Sequence, residues 1–172
     1  MKKHKVLIPL DGSGFSRRII PYVRQFCHPA RDDLILLRVA SEPAAARTPV
    51  PRPIVTDVLF ARGQPYPAGW QTEHAVHPRY IHQIWDNLQS ALADELREYA
   101  DCLHDDGYNV EVVIRTGDPA EEIIDFVSHG GIDLVAMATH GRTGLSRLVM
   151  GSVATEVLRR VTIPVMLVRP SA

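Results

Sequence analysis

Residues 33–40, DLILLRVA, run apolar with hardly a break. A strand with one wet face alternates apolar and polar residues. One that is apolar throughout is covered on both faces, as in a parallel sheet between two layers of helices. Four further short runs read as strands: KVLIPL (5–10), NVEVVIRTG (109–117), DLVAMAT (133–139) and PVMLVRP (164–170).

Helical spacing fills the gaps between them. FSRRIIPYVRQFC (15–27) places Phe15, Ile19, Ile20, Val23 and Phe26 on one face, with Ser13 as a candidate N-cap. Pro21 either kinks that helix or marks a later start. Ile81, Ile84, Trp85, Leu88, Leu92, Leu96, Tyr99 and Leu103 stripe a long amphipathic helix that Gly107 stops. Residues 118–131 form a third helix, with Asp118 at its N-cap, Pro119 in its first turn and Gly130 at its end. Residues 152–161 form a fourth. The predicted fold is therefore α/β: a doubly wound, five-stranded parallel sheet flanked by helices, with right-handed crossovers. Ligands of such sheets bind beyond the carboxyl ends of the strands, where the strand order reverses.

The 172 residues suit one domain, 1–172, and 45% are hydrophobic, enough for a packed core. Residues 41–80 stand apart as a Pro/Ala-rich insertion with no sustained period. A net charge of −1 argues against nucleic acid as the main partner. Only five apolar residues, Val6 to Leu10, precede Asp11, too few for a secretory signal, and no run approaches a membrane span. Cys27 and Cys102 form no CxxC pair and read as reduced thiols. The expected location is the cytoplasm.

Chemistry concentrates in two loops at strand ends, DGSGFS after the first strand and ATHGRTGLSRLVMGSV (138–153) after the fourth. Gly141 and Gly151 let backbone amides approach an anion, and Gly151-Ser152 opens a helix whose free amides and dipole favour negative charge. Arg142 and Arg147 are placed to screen phosphate. The alternative is that these glycines only make turns. No Walker motif is present, GSGFSR lacks the third glycine of a dinucleotide fold, and no acidic residue ends the second strand. His140 is the only nearby candidate for phosphoryl-transfer chemistry, so the expectation is no catalytic residue and little or no turnover. His74, His77 and His82 lack the partners of a zinc site.

The spacing Ala138-x2-Gly141-x9-Gly151-Ser152, the opening VLIPLDGS and the ending GSVATEVLRRVTIPVMLVRP resemble the universal stress protein family, whose nucleotide motif is G-x2-G-x9-G-[ST]. The first glycine of that motif is Ala138 here, which adds a methyl where backbone should approach the ligand. The resemblance implies an adenine-nucleotide alpha hydrolase-like, Rossmann-like fold and an ATP-binding (or ADP- or AMP-binding) stress-response regulator, with Mg as an optional companion of the nucleotide. It implies adenine near Pro9 and Val39, and Asp11 at the ribose or a metal-bound phosphate. Gly141, Gly151, Ser152 and Val153 would contact the phosphates, with Ala138, His140 and Arg142 along the approach. For Asp11 a turn-capping role is the alternative. The resemblance further implies a homodimer through the last strand, Pro164 to Arg169, and an unidentified regulatory partner. A nucleotide-free interaction module of the same fold is the second reading.

Overall fold

A computed structural model describes residues 2–40, 78–139 and 150–169, with side chains from residue 89 in the middle stretch. The chain divides into two units, residues 1–41 with 88–172 and residues 42–87. Of the second unit, only its final ten residues are described, and they are helical.

The elements follow the predicted order: β1 (His4–Pro9), a 3₁₀ turn (Ser16–Ile19), α1 (Ile20–Phe26), β2 (Asp32–Ala40), α2 (Pro78–Asp105), β3 (Asn109–Thr116), α3 (Pro119–Gly130), β4 (Leu134–Ala138), α4 (Ser152–Arg160) and β5 (Val165–Val168). All five strands are parallel, in the order β3-β2-β1-β4-β5. β1 is central. Val6 and Leu7 face Leu34 and Ile35 on one side and Leu134 and Val135 on the other. The order reverses between β1 and β4.

Strand pleating sends alternate side chains into two cores. Val6, Ile8, Leu34, Leu36 and Ala136 pack with Ile19 and Val23 and with Leu96 and Leu103 of α2. Leu7, Ile35, Leu37, Val135 and Met137 pack with Ile123 of α3 and Ala154 and Val157 of α4. Helices thus cover both faces, the doubly wound arrangement that the apolar β2 demanded.

Local signals account for both ends of α3 and for the end of α2. Asp118 Oδ1 accepts from the amides of Ala120 (3.0 Å) and Glu121 (3.1 Å), capping α3, and Gly131 (φ +62°) closes that helix. After α2, Gly107 (φ +91°) turns the chain so that Tyr108 N–H reaches the Leu103 carbonyl at 3.0 Å.

The first helix departs from expectation. Pro21 sits in the first turn of α1, which starts at Ile20 rather than Phe15, since proline is favoured there and not in a helix interior. Ser13 therefore caps no α-helix. Its Oγ accepts from Ser16 N–H at 3.0 Å and steadies the 3₁₀ turn instead. Phe26, placed on the apolar face by its spacing, is exposed, while Cys27 just beyond the helix turns inward.

Candidate functional site

A cavity of about 350 Å³ opens at the carboxyl ends of β1 and β4, at the reversal of strand order. Its size falls at the lower end of small-ligand sites. The apolar wall comes from Leu37 and Val39 of β2, Ile123 of α3 and Met137 of β4, with Pro9, Leu10 and Pro119 beside them. Asp11, Ser16, Thr139, Gly151 and Ser152 supply the polar part. Asp11 is the lone carboxylate lining the cavity among the described residues.

β1 stops at Pro9, but β2 runs on to Ala40, still paired to β3. Leu10 N–H takes the Leu37 carbonyl at 2.9 Å as the last bond on that side. Backbone groups alternate sides along a strand, so Val39 points its N–H and C=O the same way as Leu37, into space that β1 has left. A flat heterocycle with a donor and an acceptor on one edge suits that edge.

The turn after β1 is built from its own side chains. Asp11 Oδ1 accepts from Ser13 N–H at 2.8 Å, forming an Asx turn. Ser16 Oγ accepts from Asp11 N–H at 3.3 Å and donates to the Ser13 carbonyl at 3.0 Å. Burial pushes the Asp11 carboxyl up, but hydrogen bonding from Ser13 and Ser16, with Arg38 nearby, outweighs it and holds the group below the usual aspartate range. Asp11 is thus ionised at neutral pH. It caps the turn and faces the cavity at once, so its two readings do not exclude each other.

On the opposite rim α4 begins. Its N-cap is Gly151, no side chain caps it, and no acidic residue occupies its first turn. Gly151, Ser152, Val153 and Ala154 all line the cavity. The contrast with α3 is direct: that helix also starts at this sheet edge, but carries Asp118 at its cap and Glu121 and Glu122 in its first turn. The α4 terminus keeps its partial positive charge and spare amides for whatever enters.

Gly151 is informative. Its φ of −56° is open to any residue. A Cβ built on it meets nothing within 4 Å among the described residues. Neither backbone conformation nor packing among the described residues requires glycine there. What the missing side chain leaves free is room beside the helix terminus.

Of the ten residues singled out from sequence, Pro9, Asp11, Val39, Ala138, Gly151, Ser152 and Val153 line this one cavity. His140, Gly141 and Arg142 lie outside the described residues, as does Arg147. Ala138 is the last residue of β4, half-buried, facing Val168 of β5.

Sequence reasoning passed over Thr139 and Ser16. Both are buried polar residues; Thr139 N–H donates to the Val168 carbonyl at 2.9 Å and its Oγ1 accepts from Gly151 N–H at 3.4 Å. Thr139 had a signal, a hydroxyl directly after an apolar strand; Ser16, within the helical pattern that follows the first turn, had none. Leu37, Ile123 and Met137 carried no signal apart from core periodicity. No cluster of three or more His, Cys, Asp or Glu side chains suited to a metal occurs among the described residues.

The chain is 26% identical over 169 residues to Universal stress protein MJ0577 of Methanocaldococcus jannaschii, covering 96% of this chain and 94% of that one. The solved structure of MJ0577 superposes with a TM-score of 0.70 at 22% identity, over 100% and 99% of the two chains. A universal stress family protein of Arabidopsis thaliana with AMP bound superposes at 0.61 and 16% identity, over 98% and 93%. At these identities the structural likeness shows the fold: a Rossmann-like α/β sheet. The family model matches residues 72–169, more than half of the sequence. On that match, the chain belongs to the universal stress protein family.

Proposed function

We propose that the chain is an adenine-nucleotide-binding regulatory protein of the stress response, holding ATP, ADP or AMP in the cavity between β1 and β4, with little or no hydrolysis. The observation that carries this reading is the start of α4: an uncapped helix N-terminus, entered through a glycine that the described fold does not require, opening into the cavity. Spare amides and helix dipole suit phosphate. The apolar wall with the free Val39 edge suits adenine, and the Asp11 carboxylate suits ribose hydroxyls. Relatives of the same fold are described as carrying AMP and, in a universal stress protein at TM-score 0.59, cAMP.

Asp11 also fits magnesium brought in with the phosphates. One carboxylate matches an ion that keeps most of its waters and takes phosphate oxygens for the rest. Such an ion would offset repulsion between Asp11 and the phosphates. Low turnover is part of the proposal, and the described cavity residues support it: they include no lysine and no histidine to act on a γ-phosphoryl group.

The proposed assembly is a homodimer through β5. That strand lies at the sheet edge, with all four of its apolar residues only half-buried. Pairing with a second copy would satisfy its open backbone edge. A cytoplasmic location fits Cys27 and Cys102, both unbridged. We also propose a single domain with residues 41–80 as an insertion, the segment offered to a regulatory partner. Ala138 on the cavity wall favours a second reading, an interaction module without nucleotide.

Mass spectrometry of small molecules released from freshly purified protein tests the proposal. ATP, ADP or AMP near one per chain, absent from Gly151→Asp, is the expected result. An empty protein that gives no heat on titration with any of the three would refute it and support the second reading.

A further inference from the structure

The turn that carries Asp11 and Ser16 is gripped from both sides by arginines that do not line the cavity. Gly12, between them in sequence, has φ +79°, a conformation that side chains disfavour. Arg17 Nη2 donates to the Gly12 carbonyl at 2.7 Å and pairs with Glu95 at 3.3 Å. Its Nη1 donates to the Tyr99 hydroxyl, and its guanidinium lies 5.3 Å from the Tyr99 ring centre. Glu95 and Tyr99 belong to α2, so Arg17 fastens the turn to a helix distant in sequence.

Arg38 rises from β2 on the other side. Its Nη1 donates to the Leu10 carbonyl at 3.3 Å. A Cβ on Gly12 would stand 2.5, 2.7 and 2.9 Å from three atoms of its guanidinium, so the group lies flat against the glycine. The Nε atoms of both arginines are buried and make no hydrogen bond. Leaving buried donors unpaired is costly, which a merely solvated pair of surface cations would avoid.

We propose that Arg17 and Arg38 are positioning residues of the cavity. They hold Gly12 in its left-handed conformation and so fix where Asp11 and Ser16 stand on the rim. As a statement about nucleotide affinity, this rests on the function proposed above. As a statement about the turn, it does not. Neither residue has to touch the ligand.

The test compares Arg17→Leu and Arg38→Met with their conservative variants Arg17→Lys and Arg38→Lys, using ADP with magnesium as the titrant. Urea unfolding checks that each variant folds cooperatively. The expected result is ADP affinity about tenfold weaker in Arg38→Met, and weaker again in Arg17→Leu. Lysine, a single compact donor, would restore only part in either case. Combined with Asp11→Asn, Arg38→Met should add little further loss, because both act through one turn.

Hydrogen exchange of the ligand-free protein supplies a readout independent of nucleotide. Amides from Gly12 to Ser16 should exchange faster in both truncations, while those of β4 and α4 stay unchanged. ADP affinities within twofold of wild type, or losses that multiply with Asp11→Asn, would overturn the assignment. So would unchanged exchange in the turn. If the wild-type protein binds no ADP yet its turn loosens in the variants, the nucleotide reading fails and the clamp stands.

Discussion

Gly151 separates a structural from a ligand-binding reading by the sign of two effects. Gly151→Asp places a carboxylate at the N-cap of α4, where aspartate is among the best residues and no side chain now caps. The cap bond and the dipole together should stabilise the fold by about 1 kcal/mol. The backbone there is unstrained, and nothing described within 4 Å opposes a Cβ. For a chain of this size, that raises Tm by roughly 2–4 °C. The same carboxylate takes up the amides offered to phosphate and sets a negative charge beside it. Nucleotide affinity should fall at least ~100-fold, about 2.7 kcal/mol.

Gly151→Ala adds only a methyl: stability within about 1 kcal/mol of wild type, and affinity down roughly tenfold, about 1.4 kcal/mol. Differential scanning fluorimetry without ligand, beside calorimetric titration of ATP, reads both quantities. A Gly151→Asp protein that melts lower and still binds ATP would refute the reasoning, since glycine would then be serving the fold.

Other expectations follow from neighbouring residues. Gly12→Ala meets both a positive φ and the Arg38 guanidinium; it should destabilise by about 1–3 kcal/mol, seen as a lower urea midpoint at unchanged slope. Asp118→Ala removes two amide bonds at the start of α3 and should cost about 1 kcal/mol by the same assay. The Asp11 carboxyl is held below its ordinary range in the fold. Its contribution to stability is therefore full above the unfolded value near ~3.9 and is lost as pH falls through the lower folded value. The stability gap between wild type and Asp11→Asn should shrink across that acid window and stay flat from pH 5 to 7 by urea titration. Size-exclusion chromatography with light scattering should give twice the 19.2 kDa chain mass, and Leu167→Lys on β5 should reduce it to one.

Much of the architecture was legible because burial on both faces leaves a strong trace. DLILLRVA could sit only inside a covered parallel sheet, and the helix caps at Asp118 and Gly107 are local chemistry that tertiary structure did not override. The start of α1 was harder. A periodic apolar pattern ran through Phe15, yet Pro21 belongs in a first turn, and the residues before it became a 3₁₀ segment held by Ser13. The glycine and serine positions of the cavity could be read because backbone approach to a ligand demands particular residues. Its apolar wall could not: Ile123 and Met137 have the same spacing as any core residue, and only the fold brings them to the strand ends. Arg17 and Arg38 were equally silent, since a charged residue shows nothing of its partner until α2 and β2 are set beside the turn.

The central pairing of β1 with β4 also bears on how the protein is made. Val6 and Leu7 meet Leu134 and Val135 from opposite ends of the chain, so this contact closes a long loop and belongs to the slow part of folding. The cavity lies across that seam. During synthesis β1, β2 and β3 can assemble while the cavity still lacks a wall, and no ligand can help the early strands to pair. A ligand captured there instead locks the two halves of the sheet after they have met. It would slow their separation and raise resistance to unfolding as its concentration rises, so that the lifetime of the folded protein records how much of that ligand surrounds it.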